Sequence, residues 1–141
     1  MTCTFFGHRN CPESVKPKIR AVLEELILNE DANVFYVGNN GIFDSYVYNV
    51  LKELKMKYPS VSYAVVLAYY PRESLLIDPA DTILPDGIEK VPKRFAISYR
   101  NDWMINNADC VIAYVTRSYG GAAQFFEKAK KEKKLCINLS E

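Results

Sequence analysis

The sequence YRNDWMINNADCVIAYVTRSYGGAAQFFEKAKKE, residues 99–132, decides the fold. A charged helix candidate leads into ADCVIAYV, an apolar run with the length and composition of a buried strand. A loop with the glycine pair Gly120-Gly121 follows, and a helical pattern begins near Ala122. In such a unit, small residues let the backbone approach an anion, while free N–H groups and the helix dipole attract it. The stretch therefore predicts an α/β fold with an anion site after this strand.

The rest of the chain alternates between strand-like and helix-like segments. Strand patterns cover residues 2–6, 33–37, 61–68, 108–115 and 135–139, with helical patterns between most of them. Strands joined by helices form parallel sheets with right-handed crossovers. We therefore predict a Rossmann-like, doubly wound, mainly parallel five-stranded sheet with helices on both faces, in a single domain spanning residues 1–141.

Residues 69–95 differ from the rest of the chain because they contain Pro71, Pro79, Pro85 and Pro92 and few periodic apolar residues. A loop of this length inside a compact domain is usually functional or mobile. We predict a Pro-rich flap over the strand ends, with one short strand or helix near Ile77 or Ile83.

The composition is ordinary for a globular protein, with 49% apolar and 25% charged residues and a net charge of +1. We therefore expect no nucleic-acid partner, and we interpret the lysines of residues 128–134 as a solvated helix face. No segment is apolar enough to cross a membrane, which favours a cytoplasmic protein without a membrane partner. The four cysteines lack zinc-site spacing and His8 is the single histidine, so we expect free thiols, no metal and no cofactor.

A strand order of 3-2-1-4-5 would make the first and fourth strands neighbours at the switch point of the sheet, where such folds bind ligands. The loops after these strands are GHRN, beginning at Gly7, and TRSYGG, beginning at Thr116. They are the loops richest in polar groups and glycine. We therefore place the ligand between them.

Three segments, in this order, resemble the SLOG superfamily, a Rossmann-like group that includes Lonely Guy and YpsA-like proteins. FFGHRNCPE resembles the opening strand and Gly-His-Arg turn of the YpsA-like branch, and VGNNGIFDSYVYNVLKELKMKYPSV resembles its second strand, glycine turn and helix. RNDWMINNADCVIAYV and then GGAAQFFEKAKKEKK resemble its closing half. The resemblance covers nearly the whole chain. It implies binding of nucleotides or nucleotide-derived signals, with catalysis in some branches.

Lonely Guy enzymes are phosphoribohydrolases that release a base from a nucleoside 5′-monophosphate. Their signature is an arginine, a methionine four residues later, a strand and a PGGxGTxxE loop, and it is matched here by Arg100, Met104, the glycine pair and Glu127. The chain departs from it at Tyr119, where the family has proline, and at residues 123–124, where Ala-Gln replaces Gly-Thr. The departure puts the same phosphate cradle, and hence the same reaction, in doubt.

The two charged residues of this signature have competing interpretations. In an enzyme, Arg100 would position the phosphate or the glutamate, and Glu127 would orient water or stabilise an oxocarbenium-like ribose. Otherwise, Arg100 pairs on a helix surface with a neighbour such as Asp102, and Glu127 pairs with Lys131 one turn later.

The predicted ligand residues lie in the loops after three strands. Arg9 is a planar cation suited to phosphate, or an incidental surface charge. His8 donates to phosphate or caps the adjoining helix, and Asp44 accepts from a ribose hydroxyl or caps its own helix. Tyr119 adjoins the glycine pair and would stack on a base. The full set is Gly7, His8, Arg9, Gly38, Asn39, Gly41, Asp44, Thr116, Tyr119, Gly120, Gly121 and Ala122.

We expect the protein to bind a nucleotide-derived small molecule, a nucleoside phosphate or an ADP-ribose-like compound, as a sensor, carrier or sequestering protein. The alternative is a phosphoribohydrolase of the Lonely Guy kind, and a third hypothesis is a scaffold that acts through protein contacts. The missing Gly-Thr favours binding. A homodimer or higher homo-oligomer is compatible with all three.

Overall fold

In the computed structural model, which describes residues 1–70 and 77–141, the chain forms a three-layer α/β structure. The described strands are β1 (Thr2–Gly7), β2 (Val34–Val37), β3 (Ser62–Val66), β4 (Thr82–Ile83), β5 (Cys110–Tyr114) and β6 (Leu135–Asn138). The described α-helices are α1 (Val15–Asn29), α2 (Ile42–Lys57), α3 (Ala96–Asn106) and α4 (Gly121–Lys131).

The described strands form one parallel sheet in the order β4-β3-β2-β1-β5-β6. The predicted Rossmann-like α/β fold is confirmed, including the contact between β1 and β5 at the switch point. The predicted count of five strands is wrong, because Thr82–Ile83 pairs with Val65 and Val66 as a sixth strand. The sequence indicated a short strand or helix near Ile83, but two residues are too few to show the alternating pattern that would have identified a strand of the sheet.

Helices cover both faces of the sheet, α1 and α2 on one and α3 and α4 on the other. Neighbouring residues of a strand point to opposite faces, so Phe5 packs on Phe35 and Phe6 packs on Phe125. The apolar stripes of the helices complete two buried cores. Within the described residues, no helix is long and apolar enough to cross a membrane.

The flap was predicted at residues 69–95, and its part at residues 71–76 lies outside the described residues. The part from residue 77 onwards contains β4 and three short 3₁₀ turns, at Pro79–Asp81, Ile88–Lys90 and Lys93–Phe95. These turns carry the chain from the edge of the sheet back to the start of α3.

Asp81 ties the first of these turns to the sheet. Its Oδ2 accepts hydrogen bonds from the hydroxyl of Tyr48 in α2 at 2.8 Å and from the hydroxyl of Tyr63 in β3 at 3.3 Å. Burial, together with the negative charge of Asp81, raises the pKa of Tyr63 to about 12. Tyr63 therefore remains a donor at neutral pH.

Gly7 ends β1 where α2 crosses over it. A Cβ placed on Gly7 would lie 2.2 Å from ring atoms of Phe43, which is fully buried. Contact at that distance is not possible, so α2 can approach the sheet this closely only above a glycine. The position of α2, which carries one wall of the site, depends on this contact.

Substitution of Gly7 by alanine tests that packing. We expect Gly7→Ala to lower the free energy of unfolding by about 1–3 kcal/mol, the usual cost of overpacking a core. Gly121→Ala is the matched control, since a Cβ there meets no atom of the described residues within 4 Å. Urea unfolding of the two variants and the wild type measures the difference. Equal stability of the two variants would contradict the packing argument.

Candidate functional site

A cavity of about 260 Å³ opens at the carboxyl ends of β1, β2 and β5. Its walls come from the loops after these strands, from α3 and from the first turns of α2 and α4. It is lined by Phe5, Phe6, Gly7, His8, Arg9, Gly38, Asn40, Asp44, Ile97, Arg100, Asn101, Met104, Arg117, Gly121 and Ala122. The cavity therefore lies at the switch point of the sheet.

Arg100 is the cation at the floor of the cavity, with only 1% of its surface exposed. Its Nε donates to Asn101 Oδ1 at 2.8 Å, and its Nη1 donates to the backbone carbonyl of Val66 at 2.9 Å and to Asn39 Oδ1 at 3.4 Å. Burial lowers the pKa of Arg100, and nearby Asp44 opposes this effect. The hydrogen bonds of Arg100 within the described residues come from Nε and Nη1.

Asp44 is the carboxylate nearest to that cation, and Gly38 leaves room for the pair. A Cβ on Gly38 would lie 3.1 Å from both Asp44 Oδ2 and Arg100 Nη1. Asp44 Oδ2 accepts the backbone N–H of Asn40 at 2.9 Å, which fixes the turn before α2. Burial raises the pKa of Asp44, while the Asn40 N–H and Arg100 act in the opposite direction. Asp44 thus organises its own turn and also presents a carboxylate to the cavity.

His8 joins the two loops that flank the switch point. Its backbone N–H donates to the carbonyl of Tyr114 at 3.3 Å, and its Nε2 accepts the backbone N–H of Thr116 at 3.0 Å. An Nε2 that accepts carries no proton, so the ring is neutral with its proton on Nδ1. Burial and, to a smaller extent, the positive charge of Arg117 lower the pKa of His8. Neither sequence interpretation of His8 included this link between loops.

The first turn of α4 forms part of the cavity wall, through Gly121 and Ala122. Gly120 precedes the helix with φ of +94°, a conformation that favours glycine. No side chain among the described residues caps this helix. Its first N–H groups and the positive end of its dipole are therefore available to an anion at the cavity wall.

Eight of the predicted ligand-binding and catalytic residues line the cavity together: Gly7, His8, Arg9, Gly38, Asp44, Arg100, Gly121 and Ala122. Four others lie directly behind them. Asn39 contacts Arg100, Thr116 bonds to His8, Gly120 begins α4, and Gly41 packs against the backbone of Arg9. The fold therefore brings these residues together in and around the cavity. Their contact with a ligand stays a prediction.

Tyr119 and Glu127 do not line the cavity. Tyr119 is 70% exposed, and the guanidinium of Arg117 lies 4.9 Å from the centre of its ring. Glu127 is on the exposed side of α4, where its carboxylate contacts Lys130 at 3.5 Å rather than Lys131. The helix start is at the cavity, whereas Glu127 lies almost two turns further along, on another face.

Asn101 and Arg117 are among the cavity residues that were not singled out from the sequence. Asn101 carries a neutral amide next to Arg100 in α3, and such a residue has no distinctive sequence signal. Arg117 stands inside the predicted TRSYGG loop, so its position in that loop was the available signal. Within residues 1–70 and 77–141, no group of three histidine, cysteine, aspartate or glutamate side chains could hold a metal ion.

Comparison with known proteins places the fold but gives no family membership. No protein-family model matches the chain, and no curated protein matches it. The structure is similar to the X-ray structure of DNA processing protein A (DprA) from Streptococcus pneumoniae, with a TM-score of 0.70 and 16% sequence identity. The match covers 96% of this chain and 48% of that one, so the chain spans about half the length of its neighbour. This similarity shows a Rossmann-like fold.

The neighbour contradicts one expectation drawn from the sequence. The net charge of +1 led us to expect no nucleic-acid partner, yet the similar structure is that of a DNA-processing protein. Net charge averages over the whole chain and does not report local clusters. The exposed lysines at the end of α4 and the arginines of the cavity are such clusters. The charge balance was therefore not a valid reason to exclude nucleic acid.

The neutral His8 predicts a pH dependence of stability. The folded-state pKa of His8 lies below its ordinary value of 6.5, so at lower pH the unfolded chain binds a proton that the folded chain resists. This contribution is fully present above about pH 6.5 and is lost as the pH falls toward the folded-state pKa.

We therefore expect the free energy of unfolding to fall more steeply between about pH 7 and about pH 5 in the wild type than in His8→Gln, whose side-chain oxygen can still accept from Thr116. Urea unfolding at several pH values measures both slopes. Equal slopes in the wild type and the variant would show that His8 is not held neutral. A difference between the two slopes can be assigned to His8, because it is the single histidine of the chain.

Proposed function

We propose that the cavity binds a nucleotide-derived small molecule, such as a nucleoside phosphate or an ADP-ribose-like compound, through its phosphate and ribose. The observation that carries this proposal is the meeting of three arginines, Arg9, Arg100 and Arg117, with the uncapped start of α4 in one cavity. Such a combination of guanidinium groups and free backbone N–H groups suits a phosphate. The switch point of a parallel sheet is also the usual ligand position in this fold class.

Each group of the cavity would contact a different part of the ligand. The phosphate would lie against the first turn of α4, within reach of the exposed side chains of Arg9 and Arg117. Asp44 would accept hydrogen bonds from ribose hydroxyls, because its carboxylate lines the cavity and Asn40 occupies only Oδ2 in the described structure. Arg100 would contribute charge from the floor without moving, since three acceptors already hold it.

Binding without catalysis is the better supported form of this proposal. Arg100 and Met104, the first part of the Lonely Guy signature, both line the cavity and favour the hydrolase alternative. Glu127, the residue that would act on the ribose, is exposed and lies outside the cavity lining. A carboxylate that does not reach the ribose cannot stabilise its transition state. We infer a sensor, carrier or sequestering protein, with the YpsA-like branch as its place in the superfamily.

Two further parts of the proposal concern the protein's setting. We infer a cytoplasmic protein, supported by four cysteines that are all free thiols. We also infer a homodimer or higher homo-oligomer, for which native mass spectrometry at working concentration gives the direct test.

A second candidate partner is nucleic acid, favoured by the neighbour's role in DNA processing. The same arginines that suit a nucleotide phosphate would suit a phosphate of a DNA strand. A short single-stranded oligonucleotide distinguishes the two candidates. A DNA-binding protein would bind it with an affinity that falls steeply with salt, whereas a small-molecule site would prefer the free nucleotide.

The phosphate contact is tested at Arg9. We expect Arg9→Ala to weaken binding by about 1.5–3 kcal/mol, the range for hydrogen bonds to charged groups, because the variant removes one cation from the cavity rim. The probes are ribose 5-phosphate, AMP and ADP-ribose, with the oligonucleotide as a fourth, measured by titration calorimetry. Arg94→Ala is the matched control, since Arg94 is exposed and stacks on Phe95 away from the cavity. Equal affinities of the two variants would rule Arg9 out of the site.

Base release separates a binder from a hydrolase. We expect the wild type to release no base from nucleoside 5′-monophosphates and Glu127→Gln to behave identically, because Glu127 lies outside the cavity. The side chains of Ala123 and Gln124 in place of Gly-Thr would also alter phosphate seating, and a displacement of about 1 Å can cost on the order of a hundredfold in rate. Chromatographic detection of free base decides the question. Multiple turnover by the wild type that is lost in the variant would establish the hydrolase instead.

A further inference from the structure

A second cavity, of about 310 Å³, adjoins the first along α2. It is lined by Gly38, Asn39, Asp44, Ser45, Tyr48, Asn49 and Ile77. Gly38 and Asp44 line both cavities, so the two are neighbours on either side of Asp44. A ligand whose sugar lies at Asp44 is therefore next to both cavities, the one toward α4 and the one along α2.

The lining of this second cavity differs in chemistry from that of the first. Asp44 at the junction is its single charged side chain among the described residues. Beyond the junction the walls are the amides of Asn39 and Asn49, the side chain of Ile77 and the ring of Tyr48. An amide offers a donor and an acceptor side by side, which matches the edge of a nucleobase, as when asparagine pairs with two atoms of adenine.

Tyr48 is a fixed wall of this cavity. Its hydroxyl donates to Asp81 and accepts the backbone N–H of Asp78 at 3.2 Å, and Lys52 Nζ lies 4.6 Å from its ring centre. The side-chain amide of Asn49, in contrast, makes no hydrogen bond within the described residues. It is half-buried and follows Asp44 by five residues on α2, a rise of about 7.5 Å along the helix axis. The free amide thus lies a short step beyond the carboxylate that would hold the sugar.

The other aromatic positions are less suited to a base. Tyr119 lies outside both cavities and is covered on one side by Arg117. Tyr69 and Tyr70 line a third cavity, of about 410 Å³, which shares no lining residue with the first cavity. A nucleotide with its phosphate at α4 and its ribose at Asp44 would have to leave its binding cavity to reach any of these rings.

We propose that the second cavity holds the base of the bound nucleotide and that Asn49 is the residue that recognises its edge. This inference rests on the proposed function, because it assumes that phosphate and ribose occupy the first cavity. The ligand would then run from α4, past Asp44, to the second turn of α2. The specificity of the site for one base would reside in α2, away from the glycine loop that holds the phosphate.

The experiment compares the affinity for a nucleotide with the affinity for a sugar phosphate that has no base. Titration calorimetry gives the affinities of ribose 5-phosphate and of AMP, CMP, GMP and UMP for the wild type, for Asn49→Leu and for the control Asn29→Leu, an exposed asparagine in α1. We expect the preferred nucleotide to bind the wild type at least roughly tenfold more tightly than ribose 5-phosphate. Asn49→Leu should lose roughly tenfold of that preference and leave the affinity for ribose 5-phosphate unchanged. Asn29→Leu should keep the full preference.

Three outcomes would overturn the inference. Equal affinity of the wild type for ribose 5-phosphate and all four nucleotides would leave the proposed function standing and remove the base site. An unchanged preference in Asn49→Leu, with its loss in Tyr70→Ala or Tyr119→Ala, would move the base to one of the other positions. Absence of binding by every phosphorylated probe would overturn both the inference and the proposed function.

Discussion

The buried guanidinium of Arg100 is the interaction on which the rest of the site depends. It bonds to the last carbonyl of β3, to the loop after β2 and to its own neighbour Asn101 in α3. A charge this deeply buried is tolerated only when its hydrogen bonds are made and an opposite charge is near. Three elements that are distant in sequence are thereby fixed around one cation. The shape of the cavity follows from this, because β3, the loop after β2 and α3 must each lie within hydrogen-bond distance of Arg100.

Two glycines make this arrangement possible by having no side chain. At Gly7, the missing Cβ lets Phe43 and with it α2 settle against the end of β1. At Gly38, it lets the carboxylate of Asp44 stand close to Arg100. Neither position has a positive φ, so the requirement is for space rather than for backbone freedom. A side chain at Gly7 would displace Phe43, and one at Gly38 would crowd Asp44 and Arg100.

The sequence predicted the sheet well because buried parallel strands and amphipathic helices leave long, periodic signals. It also predicted the region of the cavity, since the carboxyl ends of neighbouring strands must meet at one edge. It indicated a short strand or helix near Ile83, but it could not show that two residues there pair with β3 as a sixth strand. It also could not show the bond from Thr116 to His8, which joins residues 108 positions apart. Glu127 and Tyr119 show a further limit of prediction from the sequence. Their positions along the chain placed them near the glycine pair, but which face of the helix or loop they occupy is decided by packing.

The anchoring of Asp81 by two tyrosines bears on the outer edge of the sheet beyond β3. An open outer edge on β3 would offer unpaired backbone groups to another chain, the usual template for aggregation. The two-residue β4 covers the carboxyl half of that edge, and the bonds from Tyr48 and Tyr63 hold it there. A two-residue strand has little pairing energy of its own. The hydroxyls of Tyr48 and Tyr63 thus help to keep β4 over an edge where another chain could otherwise pair.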